Sequence, residues 1–205
     1  MKTAKTIIYS FLLISLISLT LVSCKKEIKK EPVRFSIEQK TITINWTAYK
    51  TTDKIPVKGK FEKIIITNAN NEKDTSIEAL DGAQFEIPIS SINSNDKGRD
   101  SKLQEFFFGI MEATLSLTGT LHLSNDGTGN IMLKMNGLEQ EIPISYIASG
   151  QLVEISGTVD LEKYNTTTAI ASLNKACNEK HKGADGVSKT WTEVDIEAKV
   201  YLKKK

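Results

Sequence analysis

Few side chains in this 205-residue chain have the types and spacing that chemistry needs. It holds two histidines, His122 and His181, and two cysteines, Cys24 and Cys177. Metal sites gather His, Cys, Asp and Glu at tight spacing, and these four residues are scattered. His122 falls on the outward phase of an alternating run, and His181 sits near a loop. Arg99 and Asp100 are adjacent and could form a catalytic pair. At the start of a helical stretch, such a pair more commonly fixes a loop or a helix terminus. No serine elbow and no phosphate loop are present, and "GTGN" at Gly127–Asn130 reads as a hairpin turn. The residues therefore predict no enzyme, no metal and no resident cofactor. What remains is the chemistry of apolar burial.

The N-terminus has its own signature. Lys2 and Lys5 precede an uncharged run from Ile7 to Val22, then "LVSC" and Lys25-Lys26. A basic start, an apolar core and small residues before a cleavage point mark a secretory leader over residues 1–23. A single-span anchor is the rival reading, but a span wants about 20 apolar residues without this scatter of Ser and Thr. "LVSC" resembles the lipobox of bacterial lipoproteins, which implies that Cys24 is acylated and becomes the first mature residue. Residues 24–33, "CKKEIKKEPV", then read as a charged tether. The expected location is the bacterial cell envelope. Lys26 lies where inner-membrane retention commonly uses Asp, which favours the outer membrane.

Charge and cysteine usage agree. Twenty-seven basic residues stand against 25 acidic ones, and loss of Lys2 and Lys5 with the leader leaves the mature chain neutral. Nucleic acid rewards a basic surplus, so it is excluded as a partner. With Cys24 acylated, Cys177 has no partner for a disulfide, and it is read as a small buried hydrophobe. About 170 residues, 34–205, suffice for one self-supporting domain. Nothing in the sequence speaks to oligomeric state.

Period-two alternation dominates that domain. Ile42, Ile44, Trp46 and Ala48 share a face, as do Phe85, Ile87 and Ile89. Leu115, Leu117, Leu121 and Leu123 share another, with Gly119 in phase; Ile131, Leu133 and Met135 follow. Val153 to Leu161 and Val194 to Leu202 repeat the pattern. The turn "SNDGTGN" joins two of these runs, and pairing Leu123 with Ile131 would keep their apolar faces together and set Gly119 opposite Met135. A glycine in the inward phase predicts a bend or the close approach of something large. Two stretches leave the β rhythm. Asp96 to about Met111 has room for helical turns, and Thr167 to about His181 places Ile170, Leu173 and Cys177 on one helical stripe. The prediction is an all-β, antiparallel domain of roughly eight or more strands, sandwich or barrel, with two short helical insertions.

The aromatic residues decide between a solid and a hollow interior. "SSINSNDKGRDSKLQEFFFG", Ser90 to Gly109, ends on Phe106, Phe107 and Phe108, which cannot all share one side of a strand or helix. "FEIPISSINSNDKGRDSKLQEFFFG" resembles the YceI-like family, also called polyisoprenoid-binding or lipocalin-like. "INWTAYKTTDKIPVKGKFEKI", with Trp46, Val57, Gly59 and Phe61, is similar to that family's first strands. "GTLHLSNDGTGNIMLKMNGLEQEIPI" resembles its central hairpin, and "KTWTEVDIEAKV" its closing strand. The resemblance spans about residues 34 to 203. It implies an elongated antiparallel lipocalin-like β-barrel that holds an isoprenoid-type chain, polyprenyl or quinone-like, in an apolar interior. The cavity is then expected to be lined by Trp46, Phe61, Phe85, Ile87, Leu103 and the three phenylalanines. Leu117, Leu121, Leu133 and Met135 complete it. At least one phenylalanine should enter the cavity while another packs the helical segment on the wall as a lid. Two departures stand out: Lys102 where relatives often have His after the Arg-Asp pair, and the insertion over residues 165–188, which could cap the barrel. The alternative is a structural or interaction lipoprotein whose barrel is filled with side chains and takes no ligand.

Overall fold

The computed structural model describes residues 32–205. The expected leader over 1–23, Cys24 and all but the last two residues of the tether lie outside them.

Among the described residues twelve strands form, all paired antiparallel. Two short ones, β1 (Phe35–Ser36) and β12 (Lys203–Lys204), make a separate ribbon. The other ten form one curled sheet. They are β2 (Ile42–Lys50), β3 (Ile55–Phe61), β4 (Ile65–Asn68), β5 (Gln84–Pro88), β6 (Ile92–Asn93), β7 (Ser116–Leu123), β8 (Thr128–Met135), β9 (Leu138–Ser149), β10 (Leu152–Asp160) and β11 (Thr190–Tyr201). Their spatial order is β4-β5-β7-β8-β9-β10-β11-β2-β3-β6. The two end strands of that order, β4 and β6, are covalent continuations of β3 and β5 across a few residues.

This continuity is what closes the barrel. β3 and β4 act as one bent stave, and β5 and β6 as its antiparallel neighbour. Lys60 pairs with Asn93 and Phe61 with Ile92; then Glu62 N–H donates to Ser91 O at 2.8 Å; then Ile65 faces Glu86 and Ile66 faces Phe85. The bend falls where Ile89–Ser91 winds into a single 3-10 turn, with Ser91 Oγ donating to Pro88 O at 2.7 Å. Each stave therefore neighbours the next in sequence, and β11 returns to β2. The result is an up-and-down barrel of about eight staves, a size that either fills with side chains or holds one small ligand.

The faces run as the alternation predicts. Trp46, Ile87, Leu117, Leu121, Leu133, Met135, Ile155, Val159 and Val200 all point inward and are buried. The register of the β7–β8 hairpin differs from expectation by two residues. Leu121 pairs with Ile131, Gly119 with Leu133, and Leu123 with Gly129. A two-residue slip preserves the facing, so the alternation could not detect it. The turn fixes it: Ser124 N–H donates to Thr128 O, and Asp126 accepts from Thr128 N and Oγ1. That tightens the loop to Ser124–Gly127, with Gly127 at φ 86°. Leu115 also departs from its expected face. It is 86 % exposed and precedes β7, because the chain turns through Ala113 (φ 48°) before the strand begins.

Four short helices occur among the described residues. Ser76–Leu80 was not expected, although its "TSIE" start is legible: Thr75 and Glu78 form a reciprocal capping box. It plugs one end of the barrel with the buried Leu80 and Ala79, where Gly82 N–H donates to Leu121 O and Leu123 N–H to Asp81 Oδ1. Helices Lys97–Phe106, Thr167–Ala176 and Asn178–His181 lie at the other end. The pairs Lys50↔Thr190 and Asp160↔Glu193 set that end.

Candidate functional site: an apolar cavity with a cationic vestibule

Between the leucine plug and the helical lid the barrel is hollow. The cavity measures about 210 Å³. That exceeds the apolar cavity of about 150 Å³ that stays dry and admits benzene. Its wall is hydrocarbon from end to end, with Thr190 and Glu197 among the few polar residues on its border. The inward side chains of β2 and β11 show the hollowness directly: Ile42, Ile44, Val194, Ile196 and Ala198 face inward yet remain only half-buried. A close-packed interior would cover them.

Eleven of the twelve expected lining residues border this cavity: Trp46, Phe61, Phe85, Ile87, Leu103, Phe107, Phe108, Leu117, Leu121, Leu133 and Met135. Phe106 does not. It ends the Lys97–Phe106 helix and packs, half-buried, against the core from outside. At Phe107 (φ −114°, ψ −71°) the chain leaves the helix, and this turns Phe107 and Phe108 inward. Their rings meet edge to face at 4.8 Å. Sequence reasoning missed Ile37, Ile64 and Ile66 on the wall. The "KIIIT" run that holds two of them alternates on neither phase, because the bent stave turns there.

Two glycines admit the large aromatics. Gly59 is the cross-strand partner of Trp46, and a Cβ there would lie 2.1 Å from the indole Cζ2. Gly119 is the partner of Phe85, and a Cβ there would lie 2.7 Å from its Cζ. The close approach expected at Gly119 is thus made by the Phe85 ring together with the backbone carbonyl of Met132, 2.6 Å from the same Cβ.

The lid is built from polar capping. Asp96 Oδ1 accepts from Arg99 N at 3.0 Å and caps the Lys97–Phe106 helix. Arg99 and Asp100 do not pair with each other. Arg99 reaches Asp96 at 3.6 Å and donates to Ser94 O, while Asp100 accepts from Ser94 N and Oγ. Adjacent helical residues diverge by about 100°, so each finds its own partner. Lys102 Nζ donates to Ala176 O at 2.8 Å, on the last residue of helix Thr167–Ala176. The 165–188 insertion thereby becomes part of the cap, and its Ile170 and Leu173 border the cavity.

Beyond Trp46 and Leu103 a second chamber of about 150 Å³ opens among the lid helices. It shares Trp46, Ala48, Leu103, Leu173 and Thr190 with the main cavity. Its other lining mixes Tyr49, Val57 and Gly98 with the basic side chains Lys50, Arg99, Lys102 and Lys180 and with His181. Cys177, buried and free, also borders it. His181 Nδ1 lies 2.7 Å from Thr190 Oγ1, which donates to Asn174 Oδ1 at 2.9 Å. Burial, then the charges of Lys50, Lys102 and Arg99, push the His181 pKa down to about 4.

That shift has a sign. The unfolded chain takes up this proton near pH 6.5 while the folded chain resists until about pH 4. Stability should therefore fall as pH drops from 6.5, and level off below 4. Allowing for solvent at a half-buried ring, the loss between pH 7 and pH 5 should be about 1 kcal/mol. Urea titrations of wild type and His181→Gln at both pH values measure it; a variant that retains the full pH dependence would show that His181 is not its source.

His122 stays outward, as expected, 3.8 Å from Asp81 and half-exposed. Among the described residues no cluster of three metal-ligating side chains occurs, and no helix is long and apolar enough to cross a membrane.

With this geometry in place, comparison with protein families matches the YceI-like domain over residues 34–202. The chain belongs to the YceI-like family. Two solved structures share the YceI-like fold at low identity. One is a polyisoprenoid binding domain from Saccharophagus degradans implicated in plant cell wall breakdown. It is 12% identical, with TM-score 0.54, over 85% of this chain and 99% of that one. The other is Burkholderia cenocepacia BcnA, 13% identical, with TM-score 0.55, over 82% and 99%. Identities this low speak for the fold alone. Comparison with curated proteins gives no match. The YceI-like family match covers every stave of the barrel and all three lid helices.

Proposed function

We propose that this YceI-like protein is a non-catalytic lipid carrier that holds an isoprenoid-type chain inside the barrel. One observation carries the reading: a continuous hydrocarbon-walled cavity runs from the plug to the lid. Such a wall recognises shape and length, and each Å² of chain it covers contributes about 25 cal/mol. The name of the Saccharophagus degradans neighbour supports the same ligand class. A barrel filled with side chains, acting only through its surface, is disfavoured by the half-buried inward faces of β2 and β11.

Organic extraction of the purified protein followed by mass spectrometry is expected to recover a prenyl lipid. Protein that is well folded, empty, and unable to take up added quinone or prenol would overturn the reading.

The cellular setting is also a proposal. The leader, the lipobox-like "LVSC" and the charged tether support a protein anchored in the bacterial envelope through Cys24, at the outer membrane. Several acyl chains would make that attachment effectively permanent. Cys24→Ser should abolish acylation and release the protein from the membrane fraction. Unchanged membrane association with normal acylation would sink the anchor.

A further inference from the structure

The barrel wall is not hydrogen-bonded along the whole of its height. β2 and β3 pair from Lys50↔Ile55 to Ile44↔Phe61 and no further. Toward the plug end, Ile42 and Thr43 pair with Val200 and Lys199 of β11 but have no strand partner on their other side. The stave that would lie there bends after Phe61, and its continuation β4 pairs only with β5. A closed barrel abolishes strand edges, so β2 and β4 flank a seam that something else must cover.

Residues 37–41, which lead from β1 into β2, form that cover. The two ends of this strap are tied down. Phe35 exchanges two backbone hydrogen bonds with Lys73, and Thr41 Oγ1 donates to Tyr201 O at 2.6 Å. Between those ties, a single hydrogen bond among the described residues joins the strap to β4: Ile66 N–H donates to Gln39 Oε1 at 3.2 Å. Gln39 is exposed, so water can replace this bond at little cost.

Behind that latch lies hydrocarbon. Ile37 of the strap, Ile42 of β2, and Ile64 and Ile66 of the bent stave all border the main cavity and remain half-buried. No charged residue of the strap or of β4 and the bend before it borders the cavity. The two ends of the barrel differ. At the plug, Ala79 and Leu80 are 0 % and 2 % exposed. At the lid, Lys102 is bonded to Ala176 O, Asn174 to Ser188 and Thr190, and Trp191 Nε1 to Thr51 O. A chain passing there would also cross the chamber edged by Lys50, Arg99, Lys102 and Lys180, and would strip water from those charges.

We infer that the ligand chain enters and leaves the barrel sideways, through the seam between β2 and β4, when the strap lifts off Ile66. Opening breaks one exposed hydrogen bond, and the isoleucines it uncovers are covered again by the passing chain. The inference rests on the lipid reading above and adds the route to it.

Stopped-flow fluorescence measures the route. Trp46 and Trp191, the two tryptophans of the chain, both border the cavity, so a benzoquinone carrying two isoprene units should quench them on entry. In Gln39→Ala, association and dissociation should both accelerate about fivefold while the dissociation constant stays within about twofold, because the latch acts on the barrier and is absent from neither end state. Gln39→Glu keeps an acceptor for Ile66 N–H and should exchange as wild type does. Asn174→Ala removes the lid bonds to Ser188 and Thr190 without touching the cavity wall, and its rates should stay within about twofold of wild type. Faster exchange in Asn174→Ala with unchanged rates in Gln39→Ala places the route at the lid and overturns the seam. Equal acceleration in both, or a weaker affinity in Gln39→Ala with an unchanged association rate, overturns it too. Each of these outcomes leaves the lipid reading standing. Absence of quenching in every protein overturns both.

Discussion

Ala198→Phe is expected to leave the barrel folded and to abolish most of its prenyl uptake. Ala198 faces inward in the plug-side half of β11, between Ile44 on β2 and Ile155 on β10, and it borders the cavity. The substitution adds one benzene ring to a hollow of about 210 Å³. Hollows somewhat smaller accept benzene as a guest, so the tethered ring should fit. Filling a cavity commonly stabilises, and here the change should lie within about 1 kcal/mol of zero. Ligand uptake has no such slack, because the ring takes up much of the hollow that the chain would fill. In a thermal-shift assay, wild type at 100 times its dissociation constant should gain about 2.7 kcal/mol from ligand. The variant should gain almost none. A variant that binds as well as wild type would place the ligand elsewhere, and the hollow would lose its proposed role.

Gly59→Val should be the most damaging single substitution of a small side chain. Nothing about the Gly59 backbone demands glycine; the demand is space. A Cβ at Gly59 would sit 2.1, 2.5 and 2.8 Å from three atoms of the Trp46 indole. Trp46 is buried and borders the cavity, so an indole displaced by the new side chain would have to move into that hollow. Overpacking of this kind costs about 3 kcal/mol, a large share of the 5–15 kcal/mol that holds a typical domain together. Combining it with Trp46→Leu should recover much of the loss, because the clash is pairwise. Chemical denaturation of the two single variants and the double variant measures the coupling. Additive effects would show that Gly59 matters for a reason other than the indole.

Much of the wall was legible because a strand has only two faces. Alternation assigned Trp46, Phe85, Ile87, Leu117, Leu121, Leu133 and Met135 to the interior, and each lies there. Its blindness is equally physical. Alternation is unchanged by a two-residue slip, so the β7–β8 register belonged to Asp126 and the turn. It is silent where a stave bends, which hid Ile64 and Ile66. Leu115 fits the phase but precedes the strand, and only the backbone at Ala113 reveals that. The triple phenylalanine could be assigned to a lid because no one surface takes three neighbours. Which of the three stays outside depends on where the helix ends, at Phe106. The vestibule was invisible for another reason: Lys50, Lys102 and Lys180 are far apart in sequence, and single lysines carry no pattern.

The return of β11 to β2 also dictates the order in which the molecule can be assembled. Five of the eight stave contacts join close neighbours in sequence, and β5 to β7 and β10 to β11 each span only a lid insertion. The contact of Ile44 with Ala198 waits for nearly the whole chain. Each doubling of a loop adds about 0.6 kcal/mol to its closure, so this seam costs about 3 kcal/mol more than a tight hairpin. A chain emerging from its N-terminus therefore builds an open trough, stave by stave, with its greasy side uncovered until the last strand arrives. The hollow comes into being in one late step. A ligand present at that moment would be enclosed without ever having to pass the lid.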